Sequence, residues 1–294
     1  MNILHEIADR TRQRVDEQKR QVCLEEMKAR AEALHNAQEE CDLSTPDTSS
    51  AFAGTSALDK TPPRFEHALR TPGVSFICEL KKASPSKGVI DETFDYLAKA
   101  RAYQAAGAHA ISVLTEQDYF KGDIAYLKNV SDEVSIPILR KDFIIDEYMI
   151  YEAKVAGADA VLLIVALLDT GILRRFIELT EALGMSALVE AHTSKEIAQA
   201  LAARARIIGV NNRNLATFEV DITLSERLRP LVPSEVLFVS ESGISQPDHI
   251  TRLHKAGVDG VLIGESLMRS GCIPTSLEYL RSGLTDDTDD KELP

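Results

Sequence analysis

The sequence lacks any cysteine pair at a metal-binding or redox spacing. Its 4 cysteines, Cys23, Cys41, Cys78 and Cys272, are scattered, with no CxxC among them. A zinc ribbon or a dithiol centre is therefore not expected. Cys78 sits inside an apolar run and reads as a small core residue. A cationic excess is also missing. The net charge of −13 argues against nucleic acid or an anionic membrane as partner. It leaves room for a small anionic substrate, because a local cationic pocket dominates the field around it. No apolar run approaches the roughly 20 residues of a membrane-spanning helix. The charged stretch Met1–Arg20 has no apolar signal-peptide segment, so the cytoplasm is the expected location. No metal constellation is visible. His254 lies in a helical run and His109 at a helix-to-strand turn, neither with a partner at ligand spacing, and both read as structural or solvated.

What is present is a large soluble chain of 294 residues with 27% charged and 5% aromatic side chains, enough to bury a sizeable core. Ile3 to Leu34 reads as one long helical pattern. Asn36–Pro63 is rich in Ser, Thr, Asp, Ala and Pro and reads as loop or linker, before a short helix at Phe65–Leu69. From Val74 onward short β-rich runs alternate with helical ones. The expected strands are Ser75–Leu80, Ala110–Leu114, Ile136–Leu139, Ala160–Val165, Ser186–Val189, Ile207–Val210, Val236–Val239 and Gly260–Ile263. Between them lie amphipathic stretches such as Phe94–Ala106, Glu147–Ala156, Ile172–Leu183 and Asp248–Ala256. The strands are continuous apolar runs, the pattern of parallel strands covered on both faces. Ala106-Gly107-Ala108, Ala156-Gly157-Ala158 and Ala256-Gly257-Val258 form a weak repeat, each a helix end, a glycine cap and entry to a strand. An α/β (β/α)8 barrel follows, with an extra N-terminal helix. The open doubly wound sheet would show a GxGxxG turn after its first strand, and none occurs. The expected organisation is a helical extension over 1–35, a linker over 36–63, the barrel over 64–281 and an acidic tail over 282–294.

Chemistry in such a barrel sits at the C-terminal ends of the strands. Those ends carry Glu79 and Lys81, Lys141, Glu190, Asn211 and Arg213, Glu241 and Ser242, and the step Gly264-Glu265-Ser266. Any one of them has a plain explanation as the polar start of a loop. Three carboxylates and two lysines at one mouth are harder to dismiss, since each perturbs the others and together they suit general acid–base catalysis. Ser242-Gly243 and Gly264-Glu265-Ser266 offer backbone N–H groups where barrels often hold phosphate. Glu265 is an awkward neighbour for an anion unless its side chain turns away. His192 lies near the mouth with little else to mark it.

These motifs carry a resemblance. Glu79-x-Lys81-x-x-Ser84-Pro85-Ser86, Leu114-Thr115-Glu116 with Tyr119-Phe120-x-Gly122, Leu139-Arg140-Lys141-Asp142-Phe143, Val189-Glu190, Asn211-Asn212-Arg213, Ser240-Glu241-Ser242-Gly243 and Gly264-Glu265-Ser266 occur in one order. From about Phe65 to Arg269 the chain resembles indole-3-glycerol-phosphate synthase, a carboxy-lyase of tryptophan biosynthesis. The resemblance implies an anionic phosphate substrate, 1-(2-carboxyphenylamino)-1-deoxyribulose 5-phosphate, and no cofactor or metal. It implies Lys141 as first choice of general acid, with Lys81 holding the substrate carboxylate and able to share that duty. Glu190 becomes the base or the aid to dehydration, and Glu79 orients the lysine ammonium. Asn211 and Glu241 position the ribulose chain and the base. Ser84, Ser242, Gly243, Gly264 and Glu265 contact phosphate, largely through backbone, with Arg213 beside them. Phe120 and Phe143 wall the aromatic ring. A monomer or weak homodimer is expected. Three alternatives stay open at this stage. They are phosphoribosylanthranilate isomerase, which would need a Cys/Asp pair, a Schiff-base aldolase, and a non-catalytic barrel recruiting a partner.

Overall fold

The computed structural model describes residues 3–44, 62–214 and 217–284. Among these, eight parallel strands close into a barrel in sequential order around the ring. They are β1 (Ser75–Leu80), β2 (Ala110–Leu114), β3 (Ile138–Lys141), β4 (Ala160–Ile164), β5 (Ser186–Ala191), β6 (Ile207–Asn211), β7 (Leu237–Glu241) and β8 (Gly260–Ile263). A two-stranded hairpin, Ala83–Ser84 with Gly88–Val89, follows β1.

Alternation along the strands sorts residues into two cores. Ile77, Leu139, Leu162, Leu188, Ile207, Val239 and Leu262 fill the barrel interior. Their neighbours Phe76, Cys78, Val161, Leu163, Val189, Phe238 and Val261 face the surrounding helices. Cys78 is fully buried, and burial pushes its thiol up to about 12. The short helix Arg64–Leu69 plugs the lower end, with Phe65 and Leu69 in the inner core. Its Glu66 is buried and ion-paired to Arg70 at 2.7 Å and to Arg206, just ahead of β6, at 2.8 Å.

The alanine–glycine repeat has a structural task. Gly107, Gly157 and Gly257 each take the left-handed conformation, at φ 78°, 88° and 79°. Two residues on, the His109 ring accepts a hydrogen bond from Phe76 N at 3.0 Å. Asp159 accepts from Ile138 N at 2.9 Å, and Asp259 from Phe238 N at 2.7 Å. Each repeat thus caps the start of the strand before it, and His109 belongs to the frame.

Several elements differ from the sequence expectation. The single N-terminal helical pattern is two helices, Ile3–Gln21 and Leu24–Ser44, broken at Val22-Cys23. The second carries residues 36–44, which their polar composition assigns to a linker. Residues 45–61 of that linker and the acidic run Asp286–Asp290 lie outside the described residues. A helix at Ile124–Glu133, capped by Asp123, is one the sequence reading does not name. Its signal is there: an Asp N-cap followed by Ile124, Leu127 and Val130 at helical spacing.

The N-terminal helix lies against loops at the upper end. Leu4 and Ile7 join the cluster holding Phe120, Phe143 and Ile164. Glu6 accepts from the Tyr119 hydroxyl at 2.6 Å, Arg14 donates to Asp118 at 3.3 Å, and Lys19 pairs with Asp146 at 2.7 Å. No helix among the described residues is long and apolar enough to cross a membrane.

Candidate active site

Four polar residues expected to open loops, Lys141, Glu190, Asn211 and Glu241, are in fact part of their strands. Lys141 ends β3, Asn211 ends β6 and Glu241 ends β7, while Glu79 and Glu190 are next to last in β1 and β5. Propensity reads such residues as loop; here each has an ionic or hydrogen-bond partner at the mouth that makes its burial tolerable. Register sets them side by side: Asn211 pairs with Glu241, Glu190 with Gly209, and Lys141 with Leu114. All are at inward-facing positions. The outward residues on either side of Lys141 lock its strand. Arg140 is buried, pairs with Glu152 at 2.8 Å and donates to Met149 O at 2.8 Å. Asp142 accepts from the Thr115 hydroxyl at 2.6 Å.

Lys141 is the centre of the mouth. Its Nζ lies 2.6 Å from Glu241 and 3.4 Å from Glu190. Burial alone would lower its pKa, but the charges of Glu241, Glu190 and Glu79 outweigh burial and hold it above its ordinary value. The group is therefore an ammonium at neutral pH. Glu241 is pushed up to about 7, first by burial and then by Glu190 and Glu79, against the pull of Lys141. Its second oxygen, Oε1, is buried without a partner. Asn211 donates to Glu190 Oε2 at 3.3 Å and accepts from the Ser242 hydroxyl at 2.8 Å.

A second ion pair stands beside this cluster, Lys81 to Glu79 at 2.5 Å. It exists only because residue 264 has no side chain. A Cβ there would overlap the Glu79 carboxylate and come 3.1 Å from Lys81 Nζ. Gly264 has φ −118°, open to any residue, so alanine would disturb the contact and leave the backbone unstrained. Gly264→Ala is therefore expected to lower kcat/KM by about tenfold to a hundredfold through displacement of this pair. Steady-state kinetics on a variant with unchanged circular dichroism checks it, and wild-type kinetics would refute the contact argument. Gly209 does the same for Glu241, whose Oε1 occupies the place its Cβ would take.

The far side of the mouth carries a left-handed turn and a group of cations. Ser242 and Gly243 are consecutive left-handed residues at φ 67° and 83°, a concave turn of the kind that aims N–H groups at negative charge. The strained Ser242 is held by Asn212, which donates to its carbonyl at 3.1 Å. The Glu265 side chain is drawn off by three cations, Arg269 at 3.4 Å, Arg213 at 3.8 Å and Lys87 at 3.9 Å. Arg269 was not among the expected site residues. Its signal was a Glu265–Arg269 pair one helical turn apart.

Phe120 and Phe143 stand 6.0 Å apart on the opposite wall. Phe120 is fixed by the buried Glu116, which accepts from the backbone N–H groups of Asp118, Tyr119 and Phe120. All 14 residues expected to form the site line one pocket of about 400 Å³, together with Ser86, Phe218, Leu162, Ile164 and Arg269. That is the size of a small-molecule site, one end apolar and the other cationic. His192 sits just outside it. Among the described residues no group of three His, Cys, Asp or Glu side chains is set to hold a metal ion.

The comparisons with known proteins agree in one direction. A family model described as "Indole-3-glycerol phosphate synthase" matches residues 30–278. A protein of that name from Ruminiclostridium cellulolyticum is 50% identical over 279 residues, 95% of this chain and 98% of its own. Another, from Endomicrobium trichonymphae, is 56% identical over 217 residues, 74% of this chain and 84% of its own. Among solved structures, thiamine phosphate pyrophosphorylase from Pyrococcus furiosus superposes with a TM-score of 0.55 at 15% identity, over 72% of this chain and 95% of that one. A chain described as "Native KDPGal structure" gives 0.52 at 17% identity, over 74% of this chain and 95% of that one. At such identities these two speak for the barrel alone. With the family match spanning most of the sequence, the chain belongs to the indole-3-glycerol phosphate synthase family.

Proposed function

We propose that the mouth works as one acid–base unit in the ring closure that this family performs in tryptophan biosynthesis, with Lys141 as general acid and Glu190 assisting dehydration. The substrate is 1-(2-carboxyphenylamino)-1-deoxyribulose 5-phosphate. The ring carbon bearing the carboxylate attacks the ribulose carbonyl, and Lys141 gives a proton to the oxygen that becomes hydroxyl. Carbon dioxide leaves, restoring the aromatic ring. Glu190, as a carboxyl, then protonates the departing hydroxyl, and loss of a C–H proton completes the indole.

The other groups bind and orient. Lys81 holds the substrate carboxylate, with Glu79 fixing its ammonium. Asn211 and Glu241 position the ribulose chain. Phosphate lies against Ser84 and the N–H groups of Ser242, Gly243, Gly264 and Glu265, with Arg213 close by. Phe120 and Phe143 enclose the anthranilate ring. The cytoplasm, and a monomer or weak homodimer, complete the reading.

The observation that carries this reading is the Lys141 ammonium, held at 2.6 and 3.4 Å by two carboxylates facing the aromatic wall. It favours an acid over the neutral amine that a Schiff base requires. The test is release of carbon dioxide and indole product in equal amounts, measured with and without borohydride. Equal amounts and no borohydride inactivation are expected. Trapping of an adduct at Lys141 would replace the acid role with an aldolase-type one.

A further inference from the structure

The reaction has a proton balance that the mouth alone does not meet. The substrate enters with an ionised carboxylate and that group leaves as neutral carbon dioxide. Two protons are spent, one on the carbonyl oxygen and one on the departing hydroxyl. Only one returns, from the C–H bond broken to form the indole. Each turnover therefore draws a net proton from solvent, while the substrate itself fills the mouth.

His192 is placed to supply it. It follows β5, two residues beyond Glu190 and so on the same face of the chain. Its Nε2 is 3.6 Å from Glu190 Oε1, and its Nδ1 is 3.4 Å from Glu196 Oε2. The same Glu196 oxygen accepts from the His192 backbone N at 2.7 Å, which fixes the carboxylate against the ring. Nε2 is buried and makes no hydrogen bond at this distance, so a small rotation completes the contact to Glu190. Glu190 lines the substrate pocket. Glu196 lines a different, outer pocket of about 430 Å³ between Val165–Asp169 and the helix Ser194–Ala202. His192 lines neither and bridges the wall between them.

We propose that His192 is a positioning residue that acts through Glu190, relaying the proton consumed in each turnover from Glu196 at the outer pocket to Glu190 in the mouth. A proton arrives at Nδ1 from the Glu196 side. The Nε2–H bond breaks, an O–H bond forms on Glu190 Oε1, and a ring flip resets the tautomer. The Glu190 carboxyl so formed is the acid of the dehydration step, so this relay rests on the role given to Glu190 above. The charged groups facing the ring are Glu190 on its own strand, Glu196 on the following helix and Glu241 on β7, with Lys141 of β3 reaching Glu190 from the other side. Burial pulls the imidazole pKa down, but Glu196 and then Glu190 and Glu241 outweigh it and raise it. The ring thus holds a proton up to a higher pH than a free histidine, and loses it as pH rises through its raised pKa.

His192→Gln and Glu196→Gln test this, neither residue lining the substrate pocket's wall of 400 Å³. Both variants are expected to lower kcat on the order of tenfold with KM unchanged. In His192→Gln, the fall of kcat at high pH disappears and added imidazole restores turnover. Wild-type kcat in both variants, or a loss that imidazole does not mend with the pH profile intact, overturns the relay. Glu190→Gln separates the two failures. If it keeps full turnover, the role of Glu190 fails first; if it is inactive while His192→Gln is normal, only the relay fails.

Discussion

Lys141→Ala is expected to lower kcat by about 10³-fold, within the span that a positioned acid contributes. The argument rests on the balance of charge at the mouth. Glu241, Glu190 and Glu79 outweigh burial and keep Lys141 an ammonium, as the proposed acid role requires. Alanine removes that proton and also leaves the buried Glu241 and Glu190 without their shared cation. Lys81 does not fill the gap, because Glu79 holds it at 2.5 Å just beyond β1, which is not adjacent to β3 in the barrel. Because the proposed Lys81 and phosphate contacts are untouched, KM should change far less than kcat. Steady-state kinetics decides: a kcat within tenfold of wild type would pass the acid role to Lys81.

Glu190→Gln should lower kcat by about 10²-fold to 10³-fold with little change in KM. The amide matches the carboxyl in shape, so packing at this fully enclosed position survives. It cannot give up and regain a proton, and that is the property the dehydration step requires. The defect is expected after carbon dioxide release. Rapid mixing should show carbon dioxide formed ahead of indole, a gap absent in wild type. Simultaneous appearance of both products at the wild-type rate would remove Glu190 from that step.

The barrel was legible because parallel strands buried on both faces leave continuous apolar runs, and Ser75–Leu80, Ala110–Leu114 and Gly260–Ile263 have the boundaries their composition implies. The runs at β3, β5, β6 and β7 were read two or one residues short at the upper end, since Lys141, Glu190, Asn211 and Glu241 look like loop until their cross-ring partners are known. Positions of the charged side chains were legible from strand order and the motifs. Their couplings were not. Nothing local predicts that Gly264 makes room for Glu79, or that Gly209 makes room for Glu241, because the residues in contact are 185 and 32 positions apart in the chain. Arg14 reaching Asp118 across 104 residues is equally silent in the sequence. The N-terminal extension is the weakest reading, since the charge-rich run Leu24–Ser44 shows no clear apolar face and its helical length rests on packing against Glu147–Val155.

The most direct test of the acid–base assignment is a turnover assay followed by indole emission. The chain contains 0 Trp, so product fluorescence rises over a low protein background. Wild type should give a rise that Lys141→Ala and Glu190→Gln, folded to the same circular dichroism, all but lose. Folded wild-type protein with no rise, or Lys141→Ala matching wild type, would contradict the account.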